Sequence, residues 1–260
     1  MVWLLVRAGH VPPATSSSRA ATPVTVCPLR SWPGCILDDC QPDQRSKTVT
    51  RSILVLGANG KIGRIFCKEA SEAGLPIRAM VRSEDQREFF ETANIEVVIG
   101  NLEAEFEHAA QGCDRMVFTA GSGAKTGADK TMLVDLYGAI RAIELSERLA
   151  IEHFVMVSAA RAEVPLAAPP AMRHYMVAKK VADDRLIASS VPHTILRPGR
   201  LTDLPASGKI RTQFAAGDGF DISRANVARC IAAAFESPAA KNRVVDLLDG
   251  DQPISTLFAN

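Results

Sequence analysis

From about residue 50 onward, short apolar runs alternate with longer segments whose apolar residues recur at helical spacing. The runs Ile53–Leu56, Pro76–Val81, Ile95–Ile99, Arg115–Thr119, His153–Val157, Thr194–Leu196 and Val244–Leu248 have strand length. Between them lie helical stretches, the first running to about Ala73 and stopped by Gly74. A polar helix is expected over Ser83–Thr92 and a short one around Glu105–Ala110. Longer helices are expected over Lys130–Leu149, Ala171–Ser189 and Asn226–Phe235. In the first of these, Leu133, Leu136, Ile140, Ile143 and Leu149 share a face. Apolar strands that alternate with helices imply a mainly parallel sheet covered on both sides, a doubly wound α/β fold. Without an internal repeat, residues 49–260 read as a single domain.

Residues 1–48 break the pattern. They hold Pro12, Pro13, Pro23, Pro28, Pro33 and Pro42, which prevent any long helix. Arg7, Arg19 and Arg30 precede the first acidic residue, Asp38, and both tryptophans, Trp3 and Trp32, lie here. The Trp3–Val6 patch is too short for a secretory signal. An acid-poor, Arg- and Ser-containing composition suits an organelle transit peptide, but amphipathic periodicity is missing. The segment is therefore expected to be a disordered extension of a cytoplasmic protein, with an organelle as the alternative.

A formal charge of +1 gives no footprint for nucleic acid or an anionic membrane surface, and no apolar run has the length of a membrane span. A small-molecule substrate is the partner that remains; the sequence says nothing of oligomeric state. Cys27, Cys35 and Cys40 fall in the leader, while Cys67, Cys113 and Cys230 fall in separate elements. No C-x-x-C pair occurs, so no metal site is expected, and the latter three read as small buried residues.

The chemistry begins where the first strand breaks into Gly57-Ala-Asn59-Gly60-Lys61-Ile62-Gly63. A helix N-terminus opening after a strand in this way receives a dinucleotide pyrophosphate in Rossmann-type folds. Gly57 permits the turn, Gly60 admits the phosphates, and Gly63 lets helix and strand approach. Strand two ends in Arg82-Ser83, where an acidic residue would select NAD by its ribose hydroxyls. Arg82 can instead grip the 2′-phosphate of NADP, with Ser83 adding a donor, so NADP is expected ahead of NAD. Asn101 and Leu102 after strand three can reach an adenine edge and cover its ring. Ala120 and Gly121 after strand four keep the backbone slim beside the cofactor.

Tyr175 and Lys179 stand at i and i+4, hence on one helix face. A phenol is a poor acid–base group near neutrality, and a neighbouring ammonium lowers its pKa. Ser158, at the end of strand five, can orient a substrate oxygen.

Gly57–Arg64, Val81-Arg82, Gly100–Leu102, Val155–Ser158, Tyr175–Lys179, Leu196–Arg200 and Ile222–Val227 together resemble atypical and extended short-chain dehydrogenase/reductases. The likeness runs from Ser52 to about Phe258, within the NAD(P)H-binding group that includes NmrA-like, flavin/biliverdin reductase-like and sugar-epimerase-like proteins. It implies Ser158, Tyr175 and Lys179 as the catalytic set, Lys179 also on the nicotinamide ribose, and Pro198 beside the nicotinamide ring. Seventeen positions separate Ser158 from Tyr175, more than in main-line members, and Pro165, Pro169 and Pro170 interrupt them. Asn101 replaces the frequent Asp. The implied function is NADP(H)-dependent hydride transfer to a small carbonyl or ring acceptor. A sugar-nucleotide epimerase-like enzyme and a redox sensor without turnover are the alternatives. The histidines and Asp183-Asp184 carry no chemistry in this reading, and Asp246, Asp249 and Asp251 form a solvated turn.

Overall fold

The computed structural model describes residues 52–123, 126–214 and 219–259, so the expected disorder of 1–48 lies outside the described residues. β1 (Ser52–Leu56) is buried at all five positions. Ile53 and Val55 enter one core layer, Leu54 and Leu56 the other, as the twofold alternation of a strand requires. β2 (Ile77–Val81) and β3 (Glu96–Ile99) extend the sheet on one side of β1. On the other side stand β4 (Cys113–Phe118), β5 (His153–Val157) and β6 (His193–Pro198). Three short strands follow, β7 (Arg200–Thr202), β8 (Lys209–Arg211) and β9 (Asp221–Ser223), then β10 (Arg243–Asp249) and β11 (Gln252–Pro253).

Among the described residues the main sheet has the order β3-β2-β1-β4-β5-β6-β10-β8-β11. Pairing is parallel from β3 to β10, and β8 and β11 add an antiparallel margin. The strand order reverses between β1 and β4, which opens a crevice at their carboxyl ends. β7 and β9 form a separate parallel pair. The doubly wound architecture follows the sequence pattern. The three-residue strands were not legible in it, because runs that short carry no periodicity.

α1 (Lys61–Glu72) packs on the sheet through Ile62, Phe66, Cys67 and Ala70. The polar helix expected over Ser83–Thr92 is instead a 3₁₀ turn, Glu84–Gln86, followed by the single turn of α2 (Glu88–Glu91). Phe90 anchors that turn in the core, and Asn94, at φ 54°, redirects the chain into β3. The stretch at Glu105–Ala110 is likewise a 3₁₀ turn, Glu107–Ala110.

The helix expected over Lys130–Leu149 is composite: α3 (Ala128–Lys130), a π-wound segment Thr131–Gly138, and α4 (Ala139–Arg148). The expected face holds in part: Ile143 is core and Leu136 packs against it. Leu133 and Leu149 are exposed, whereas Thr131, Asp135, Gly138 and Ala142 turn inward beside Ile143. α5 (Arg173–Ile187) shares this second layer through Ala182 and Leu186, and α6 (Arg224–Glu236) packs in the first through Val227 and Ile231.

The solvated acidic turn holds for exposed Asp251 and is corrected for the other two. Asp246 and Asp249 lie within β10. Asp249 Oδ1 accepts from Asn226 Nδ2 at 2.7 Å, and Asp246 Oδ1 is buried without a hydrogen-bond partner. Cys67, Cys113 and Cys230 are free and buried; burial pushes their thiols up to about 12, 11 and 12, which leaves them inert. Among the described residues no helix is long and apolar enough to cross a membrane.

Candidate active site

The glycine turn is shaped by two close approaches. Gly57 has φ +88°, and a Cβ there would stand 2.5 Å from the Ala120 nitrogen at the end of β4. A Cβ on Gly63 would stand 2.6 Å from the Ala58 carbonyl oxygen. No side chain therefore fits at either position, and β1, α1 and the β4 turn are drawn together. Gly60 caps α1 without a side-chain hydrogen bond. The first amides of α1 consequently lack intrahelical acceptors and sit at the positive end of its dipole. A pyrophosphate fits that cradle.

Gly57, Asn59, Gly60, Arg82, Asn101, Leu102, Ala120 and Gly121 line one cleft of about 320 Å³ over the crevice. Elements separated by more than sixty residues are thus brought to one wall by the β1–β4 switch. Asn59 Oδ1 accepts from Arg64 Nε at 2.9 Å, and Gln86 Oε1 accepts from the Arg82 backbone N–H at 3.1 Å. The Asn101 amide oxygen accepts from the Glu103 N–H at 3.0 Å, so part of its capacity holds its own turn. Lys130 and Glu103 meet at 2.5 Å across the cleft. Ser83 lies next to Arg82 in extended conformation. Ile62 is committed to the core, which leaves only its backbone for a ligand.

Lys61 projects to solvent, where Nζ donates to Asp203 Oδ2 at 2.5 Å. Arg224 Nη1 donates to the other oxygen of Asp203 at 2.6 Å. The first turn of α1 is thereby tied to the chain leaving β7.

Beyond the cleft, α5 aligns Tyr175, Lys179 and Asp183 at intervals of four. Two proline-led 3₁₀ turns, Pro165–Ala167 and Pro170–Met172, fold the long connection so that this face meets the carboxyl end of β5. Lys179 Nζ donates to the Val157 carbonyl at 3.1 Å, directly before Ser158. It stands 5.8 Å from the Tyr175 ring centroid and 3.8 Å from Asp135 Oδ1. Ser158 is buried and faces Asp183, lowering that carboxyl's pKa, although neither Ser158 Oγ nor Asp183 Oδ1 makes an aligned hydrogen bond. The remaining Asp183 oxygen accepts from Arg197 Nε at 2.9 Å. Burial outweighs these contacts and holds Asp183 above the usual carboxylate range. Pro198 ends β6 immediately after Arg197.

The phenol departs from expectation. Burial pushes Tyr175 above its ordinary pKa; Lys179 pulls it down by less, while Asp135 and Asp183 push it further up. An ammonium at i+4 is therefore insufficient to activate a phenol when burial, helped by two carboxylates, opposes it. Asp135 escaped the sequence analysis, and Asp183, set aside there as one of an adjacent pair, is corrected: it faces Ser158 and Arg197. The spacing from Lys179 could have shown Asp183, whereas Asp135 meets Lys179 from a different helical segment, to which no spacing from Tyr175 or Lys179 points.

Residues 57–238 match the NAD(P)H-binding family. The chain is 43% identical over 207 residues to an uncharacterized sugar epimerase, YhfK, of Bacillus subtilis, covering 78% of this chain and 96% of that protein. It superimposes with a TM-score of 0.77 on an NAD-dependent epimerase/dehydratase-like protein from Bacillus halodurans, at 40% identity over 80% of this chain and 98% of the other. A short-chain dehydrogenase/reductase (wide type) from Veillonella parvula, solved with NADP, shares the fold at 18% identity and a TM-score of 0.60, over 78% and 98% of the two chains.

Proposed function

The chain belongs to the NAD(P)H-binding family, and from that premise we propose an NADP(H)-dependent oxidoreductase acting on a small carbonyl or ring acceptor. The observation that carries this reading is the meeting of α5 with the end of β5, where Lys179 binds the Val157 carbonyl beside buried Ser158. NADPH is the hydride source in this reading. The α1 amides and the Gly57–Gly60 turn hold its pyrophosphate, Arg82 its 2′-phosphate, and Asn101 and Leu102 its adenine. Lys179 holds the nicotinamide ribose.

The chain's own residues then handle the oxygen. Ser158 donates to the substrate oxygen with the hydroxyl proton that has no aligned acceptor within the protein. Tyr175 supplies the proton that the oxygen gains on reduction. A phenol held above its ordinary pKa stays protonated across the neutral range, which suits a donor in the reductive direction. In reverse, the same phenol needs a stronger base or a higher pH. Epimerisation by transient oxidation uses the same residues, and the name of the Bacillus subtilis relative favours that second reading.

Steady NADPH oxidation with a panel of carbonyls, quinones and flavins tests the proposal. Tight NADPH binding with no turnover by any acceptor would overturn it in favour of a sensor.

A further inference from the structure

The π-wound segment Thr131–Gly138 sets a carboxylate, Asp135, into the second core layer at 1% exposure. Burial of a charge is costly unless it is paired and hydrogen-bonded, so its neighbours define its task. Two are direct. Asp135 Oδ2 accepts from the Ser122 backbone N–H at 2.8 Å, and Oδ1 stands 3.8 Å from Lys179 Nζ, itself almost wholly buried. The third neighbour is a space: a Cβ on Gly121 would stand 3.1 Å from Asp135 Oδ1. Gly121 and Ser122 line the cofactor cleft, and Lys179 lies on α5, so one carboxylate joins two walls of the site.

We infer that Asp135 is a positioning residue that fixes Lys179 against the Gly121–Ser122 turn and offsets part of its charge at Tyr175. π-wound turns recur at functional sites. The consequence is electrostatic. Lys179 lies between Asp135 and Asp183, with Arg197 on the far side of Asp183, so Tyr175 faces a near-balanced set of charges rather than a lone ammonium. At short range in a buried setting each of these charges moves a neighbour's pKa by roughly one unit or more.

The inference rests on the assignment of Tyr175 and Lys179 as donor and partner, but it can be read without turnover. The chain contains only two tyrosines, and the other, Tyr137, is exposed. In a Tyr137→Phe background, the tyrosinate absorbance therefore reports Tyr175 alone. Asp135→Asn keeps an acceptor for the Ser122 N–H and removes the charge. It should move the Tyr175 titration to lower pH, by about one unit. A titration that stays in place or moves upward overturns the inference. If Asp135→Asn does not melt cooperatively, Asp135→Ser removes the same charge and is titrated instead, with the same two outcomes. Failure of the oxidoreductase reading would appear separately, as an absence of turnover in the parent chain.

Discussion

Arg87 holds Glu84 through both carboxylate oxygens, so the acid nearest Arg82 in the β2 turn is already neutralised. Arg87 also reaches Glu91 at 3.7 Å. Arg82 itself is exposed at the cleft, and its guanidinium has no ion pair among those described. The local field thus favours an arriving phosphate. NADPH should bind more tightly than NADH, and Arg82→Glu should reverse the order, by roughly ten- to a hundredfold in affinity. Equal affinities for the two cofactors in the parent, measured by fluorescence titration, would remove the basis for the NADP assignment.

Tyr175→Phe should abolish turnover while leaving NADPH affinity nearly intact, because the phenol acts mainly in the transition state. The pH profile carries the same message. Reduction requires protonated Tyr175, so activity persists up to its pKa and declines as pH rises through it. Since burial raises that pKa, the decline belongs above the ordinary phenol value of about 10 rather than near neutrality. A Tyr175-dependent decline near pH 7 would contradict the geometry.

Gly63→Ala presses a Cβ onto backbone oxygens that cannot move without displacing the whole turn. We expect a cost of about 1–3 kcal/mol in chemical denaturation, together with weakened NADPH binding. Gly74→Ala is no control for this effect, because φ +82° strains any side chain there. Ala70→Gly in the same helix is a better comparison: it loosens α1 without touching the cradle, so its binding should survive.

His153 is buried between Thr194 and Phe235. Thr194 Oγ1 donates to the Ala240 carbonyl, so His153 Nε2 carries the proton that Thr194 accepts. Burial, then Lys241, His193 and Arg115, depress its pKa to about 4. The unfolded chain binds a proton near 6.5, so stability falls as pH drops from 6.5 toward 4, by roughly 3 kcal/mol in all. His153→Gln keeps a donor for Thr194 and cannot titrate. Melting curves between about pH 7 and 4 should show a shallower slope in that variant; an unchanged slope would assign the acid sensitivity elsewhere.

Much of this was legible in the sequence, and the reasons differ by element. The strands of the parallel sheet declare themselves because burial on both faces demands unbroken apolar runs such as Ile53–Leu56. The glycine turn declares itself because backbone contact tolerates no substitute at Gly57 or Gly63. Tyr175 and Lys179 follow from helical spacing alone. The composite helix was legible only in part, at Ile143 and Leu136, because its inward face is completed by Thr131, Asp135 and Gly138, which carry no apolar signal. Asp246 looked like a turn residue for a related reason: it lies opposite Arg197 only once β10 pairs with β6. Charge clusters assembled by distant strands leave no local trace.

Asp203 holds both Lys61 and Arg224 at the start of α1. A dinucleotide phosphate reaching that corner would meet an incumbent anion tethered by the chain itself. Binding then becomes an exchange of partners instead of the neutralisation of idle cations. Added salt screens the incumbent along with the newcomer, so affinity should depend on ionic strength less steeply than two unengaged cations would dictate.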